Sequence, residues 1–118
     1  MNVFLSAKLH GLRVTGTSLD YHGSVTISED IMASAGIRPY EQVDVCNSNT
    51  GHRWTTYAIP TVVPRRFEVN GPGARLAEPG DPCVVLTWQH TATPAKPIVV
   101  MFDEHNEQAD RFTYTVAP

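Results

Sequence analysis

Four short stretches of the chain carry side chains able to do chemistry. Lys8 and His10 lie two residues apart, so a strand would present a cation and an imidazole on one face. Ser24, a hydroxyl nucleophile, follows Gly23, whose backbone dihedrals are unusually free. Arg53 stands just ahead of Thr55, Thr56 and Tyr57, joining a guanidinium able to grip a carboxylate to three hydroxyls. Asn70-Gly71 leads into Pro72-Gly73, the composition of a tight turn in which glycine takes positive φ at no steric cost. Taken singly, each stretch is also what a solvated strand face or an ordinary turn looks like. Asp20, His22 and Ser24 are too close in sequence to form a relayed triad without a fold to support it. His10, His22, His52, His90 and His105 are scattered, with no HxxxH, CxxC or carboxylate cluster, so no metal is expected.

These residues need elements to bring them together. Residues 2–15 read as a long strand carrying Lys8, His10 and Arg13, and 16–20 as a turn-forming stretch. A short strand follows at 25–27. The clearest helix is 29–35, with Ser28 as N-cap, Glu29 and Asp30 in the first turn, and Gly36 to close it. Val43 and Val45 alternate with Gln42, Asp44 and Cys46 as in a half-buried strand. Asn49-Thr50-Gly51 marks a turn, and 52–59 continues as the hairpin partner. Further strands are expected at 66–69, 82–88, 97–102 and 112–116, the first two joined by the Gly/Pro-rich segment at 70–73. Many short strands around one helix suggest a small barrel, which leaves no open edges.

Composition agrees. The chain has 118 residues, the size of one domain. Thirteen Val and twelve Thr against six Leu favour β structure. Only 18% of residues are charged and apolar residues recur throughout, which excludes disorder. A net charge of -3 argues against a nucleic-acid partner, which would need a basic surface. The apolar run near Met1 is three residues long, far short of a signal peptide, and no stretch approaches a membrane span. Cys46 and Cys83 are too few for a disulfide framework. A cytoplasmic location is therefore expected, with no membrane partner.

The combination is far more specific than its parts. Lys8-Leu9-His10, Tyr21-His22-Gly23-Ser24, the segment from Arg53-Trp54-Thr55-Thr56-Tyr57 to Ile59, and Val69-Asn70-Gly71, in this order and spacing, resemble the pyruvoyl-dependent aspartate 1-decarboxylases. Ala35-Gly36-Ile37, the run from Glu41 to Val45 and the run from Phe102 to Glu107 look like that family as well. The likeness extends over essentially the whole chain.

The resemblance implies a six-stranded double-psi β-barrel with one or two short helices, assembled as a homotetramer with active sites between subunits. It implies one domain, 1–118, that cuts itself between Gly23 and Ser24 into a β chain of 1–23 and an α chain of 24–118. Ser24 would become a pyruvoyl group that replaces pyridoxal phosphate, condensing with the substrate amine to a Schiff base. The activity implied is that of a carboxy-lyase, L-aspartate to β-alanine, supplying pantothenate and coenzyme A synthesis. Gly23, Ser24 and Thr56 match the residues of processing, and Tyr57 the proton donor. Lys8, Arg53, Thr56 and the Gly71-Pro72-Gly73 loop match substrate-binding positions, with His10 and Asn70 in support.

Three positions depart from the family pattern. The loop usually reads Asn-Gly-Ala-Ala-Ala, whereas here Pro72 removes a backbone donor. His22 replaces the more usual Glu before the Gly-Ser bond, and Gly11 stands where Arg is common. Alternatives therefore stay open: the same chemistry on another acidic amino acid in a specialised pathway, or a non-processed small-barrel binding module. A maturation factor is a further open partner.

Overall fold

A computed structural model of the chain describes residues 1–114. Its nine strands are β1 (Asn2–Arg13), β2 (Gly16–Ser18), β3 (Ser24–Ser28), β4 (Gln42–Asn47), β5 (Arg53–Thr61), β6 (Phe67–Asn70), β7 (Pro82–Thr91), β8 (Ile98–Phe102) and β9 (Gln108–Thr113). One short helix, α1 (Glu29–Ser34), and one 3-10 turn, Gly71–Arg75, complete the fold. Neighbouring strands run in the order β2-β6-β3-β5-β4-β7-β1-β8-β9. Three contacts are parallel, β1 with β8, β2 with β6 and β3 with β5, and the others antiparallel.

The all-β architecture with short helices is the one expected. Removing the three-residue β2 from one end and the β8–β9 hairpin from the other leaves six strands between them. The core is rich in β-branched side chains: Val25, Ile27, Val43, Val45, Val69, Val85 and Val100 are fully buried, around Phe67 and Leu9. Stacking such stiff side chains on a pleated surface is what the Val-rich composition favours.

Local departures have physical causes. Residues 16–18 form β2 rather than a turn, because Thr17 pairs with Val69 in a parallel ladder. Ser28 precedes α1 but does not cap it. Its Oγ donates to the Val63 carbonyl at 2.6 Å and accepts the Arg66 N–H at 2.6 Å, so it joins β3 to the β5–β6 connection. β9 starts at Gln108, earlier than the strand expected at 112–116, and residues 115 and 116 lie outside the described residues. β1 carries a register shift between His10 and Leu12, where Gly11 adopts φ +79°. That backbone suits glycine and accounts for its presence at the bulge. No helix among the described residues is long and apolar enough to cross a membrane.

Candidate active site

The register of three strands assembles the centre. Ser24 opens β3 and pairs with Asn70 at the end of β6. On the other side β3 runs parallel to β5, with Val25 opposite Ala58, so Ser24 lies one step ahead, level with Tyr57. Three stretches far apart in sequence therefore converge on one peptide bond.

That bond is closely packed. Ser24 is buried while Gly23 is exposed. Asn70, itself buried, donates through Nδ2 to Ser24 Oγ at 3.2 Å and to Thr26 Oγ1 at 3.0 Å. Ser24 Oγ donates weakly to the His22 carbonyl at 3.4 Å. Gly71 adopts φ +73°, and a Cβ there would lie 2.7 Å from Gly23 Cα and 2.8 Å from Gly23 N. Only glycine lets the two backbones approach so closely. Gly73 serves a similar end, since its Cβ would meet Trp54 Nε1 at 2.7 Å.

Beside this bond opens a cavity of about 370 Å³ lined by Gly23, Trp54, Thr55, Thr56, Tyr57, Asn70, Pro72, Gly73 and Leu76. Apolar Trp54, Pro72 and Leu76 share the wall with the polar residues Thr55, Thr56, Tyr57 and Asn70. Pro72 is exposed at the rim of the 3-10 turn, where it offers no N–H. The structure thus brings together Gly23, Thr56, Tyr57, Asn70, Pro72 and Gly73 around one cavity, with Ser24 and Gly71 packed directly behind it.

Lys8, His10 and Arg53 do not line it. Cross-strand pairing sets Lys8 opposite Leu86, Leu86 opposite Asp44, and Asp44 opposite Thr55. Lys8 is therefore three strands, about 14 Å, from Thr55 within one protomer. Its Nζ lies 3.2 Å from the Tyr114 hydroxyl and over the Tyr114 ring. His10 is exposed on the same strand. Arg53 projects outward, half exposed, beside Asp44 at 3.4 Å and over the Trp88 ring.

Asp44 and Trp54 are the residues that sequence reasoning passed over. Asp44 accepts hydrogen bonds from the Thr55 hydroxyl, from Trp88 Nε1 at 2.8 Å and from Arg53. Burial pushes its carboxyl pKa up, but those three donors and the guanidinium charge outweigh it, leaving the carboxyl below its ordinary 3.8. The signal was the β4–β5 hairpin register, which sets Asp44 across from Thr55. Trp54 alternates inward with Thr56 and Ala58 along β5, a period that signals partial burial but not its place in the cavity wall. No group of three or more metal-binding side chains occurs among the described residues.

The arrangement sets a buried serine hydroxyl under an amide donor, behind a cavity whose wall includes a phenol. Comparison with known proteins adds to this geometry. A family model described as aspartate decarboxylase matches residues 1–109. The aspartate 1-decarboxylase of Salinibacter ruber is 45% identical, over 96% of this chain and 81% of that protein. Those of Maricaulis maris and Pyrobaculum islandicum are 44% and 46% identical, over 87% and 86% of this chain and 89% and 83% of theirs.

Proposed function

The chain belongs to the aspartate decarboxylase family, and from that premise we propose that it converts L-aspartate to β-alanine and CO₂ with a pyruvoyl group made from its own Ser24. It is accordingly a carboxy-lyase whose product serves pantothenate and coenzyme A synthesis. The observation that carries this reading is the packing around Gly23 and Ser24: Gly71 pressed on Gly23, Asn70 on Ser24 Oγ, and a cavity alongside.

Maturation begins in the unbroken single domain. Ser24 Oγ attacks the Gly23 carbonyl carbon, the C–N bond breaks, and the hydroxyl proton passes to the freed nitrogen, so the peptide becomes an ester. Removal of the Ser24 Cα proton and breakage of the Cβ–Oγ bond release Gly23 as a carboxylate and leave dehydroalanine. Water then displaces that residue's nitrogen as ammonia. Fragments of 23 and 95 residues result. The side chains present fit these demands. Asn70 Nδ2 already donates to Ser24 Oγ, the oxygen that departs within the Gly23 carboxylate. The Thr56 hydroxyl, on the cavity wall with Gly23, is the donor for the carbonyl oxygen as negative charge builds on it.

Once formed, the pyruvoyl group supplies a conjugated carbonyl that takes up the electron pair released with CO₂. Tyr57 Oη holds the proton that is delivered to the carbon left behind. Gly73, on the cavity wall, keeps its N–H for the substrate, whereas Pro72 contributes only an apolar rim. Arg53, which lies outside this cavity, would grip a substrate carboxylate through its fork where subunits meet. Lys8 and His10 reach the cavity of a neighbouring copy in a homotetramer whose sites lie between subunits.

Pro72 favours one further reading, that the loop lacking this donor suits another acidic amino acid better. Rates of CO₂ release from L-aspartate, L-glutamate and L-cysteate separate the two. Turnover of L-aspartate above the others, abolished by hydroxylamine through loss of the ketone, is the expected result. Preference for a different acid would transfer the assignment to it. No turnover of any of them by the cleaved protein would overturn the proposal.

A further inference from the structure

A second cavity, of about 550 Å³, lies where the end of β1 meets the β5–β6 connection and the β8–β9 loop. It shares no lining residue with the cavity at Gly23. Arg13, Arg65 and Arg66 belong to its wall, together with one acidic residue, Glu104. Arg13 Nε is buried and has no hydrogen-bond partner among the described residues. A buried donor on a permanently charged group is costly to leave unmet, which sets Arg13 apart from the other two arginines of the wall. The other two arginines are loosely held. Arg65 pairs with Glu107 at 3.3 Å and Arg66 with Glu68 at 3.2 Å, in contacts largely open to solvent. Exposed pairs of this kind contribute little and exchange readily.

The cavity is also built in advance. Asn106, 3% exposed, accepts the Arg13 N–H at 2.7 Å and donates to the Arg13 carbonyl at 2.9 Å and the Arg65 carbonyl at 3.2 Å. One buried amide thereby fixes the backbones of two arginines that are far apart in sequence. Arg65 and Asn106 both hold left-handed backbone, at φ 56° and 58°, a conformation that surrounding contacts must maintain.

We propose that this cavity binds a small anion through a phosphate group. Three guanidiniums offer more donors than the two oxygens of a carboxylate accept, whereas a phosphate presents three or more oxygens and close to two negative charges. The volume leaves room for an organic portion beyond the phosphate.

The test is a calorimetric titration of the full-length protein with inorganic phosphate at low ionic strength, with acetate as the carboxylate probe. Saturable phosphate binding that weakens with added salt is expected, with acetate binding at least about tenfold more weakly. Arg13→Gln should weaken phosphate binding about tenfold or more, and Arg66→Gln, at a more open position, provides the same reading should the first variant fold poorly. Arg38→Gln, outside the cavity, should leave it unchanged. Absence of saturable binding, equal affinity for acetate, or an equal loss in Arg38→Gln would overturn the proposal.

Discussion

Cleavage and decarboxylation ask different things of single residues. Gly71 faces the Gly23 backbone so closely that a methyl group has no place to go. Gly71→Ala should therefore leave most of the chain uncut after an incubation that fully processes the parent, as gel mobility would register. Equal processing in the two would count against tight packing at Gly23 as the source of reactivity. Tyr57 sits on the cavity wall, and under the proposed mechanism its proton is needed only after CO₂ has left. Tyr57→Phe should cleave normally yet decarboxylate about a hundredfold more slowly or worse, in line with loss of a general acid. A variant that loses both steps together would instead give the phenol a structural part. At this scale the gathering of Gly23, Ser24, Thr56, Tyr57 and Asn70 in one place was legible, because a motif order brings residue types with it. The packing of Gly71 on Gly23 was not, since an Asn-Gly pair reads as a turn and that contact exists only in three dimensions.

Strands and loops position these groups, and their own anchors respond to acid. Asp81 holds the turn before β7: it accepts the Glu78 N–H at 3.0 Å, Asn47 Nδ2 at 2.8 Å and Asn49 Nδ2 at 3.0 Å. The Glu78 bond leads, followed by Asn47, and together with Asn49 they outweigh burial, so the carboxyl sits below 3.8 in the folded chain. A carboxylate depressed on folding contributes stability above its unfolded value, and that stability is lost as pH falls through the folded one. Asp81→Asn should accordingly be less stable than the parent near neutrality, with the gap closing in acid below 3.8. Denaturant midpoints across that range measure it, and a gap that stays constant with pH would contradict the assignment. Most strands were legible from alternation and turn residues, as at Val43 and Val45. β2 and Ser28 were not, because partners distant in sequence, Val69 for one and Val63 and Arg66 for the other, overrode local preference.

For the molecule as a whole, Lys8 poses the sharpest question, being three strands from the cavity of its own protomer. Sequence order could not reveal this separation, because strand order in the sheet departs from chain order. If Lys8 serves a neighbouring copy, co-expressing Ser24→Ala with Lys8→Ala should restore activity that neither has alone, by forming mixed sites with both residues intact. Activity no greater than the sum of the two variants would contradict a shared site. Small size stops being an obstacle on this account, since the electron sink comes from the chain itself and copies share the site. The central claim, that Ser24 becomes that sink, is tested most directly by intact mass spectrometry of the purified protein. Fragments corresponding to residues 1–23 and 24–118, the larger blocked at its first residue with the mass of a pyruvoyl in place of serine, are predicted. A single chain whose mass stays that of all 118 residues after prolonged incubation would contradict it.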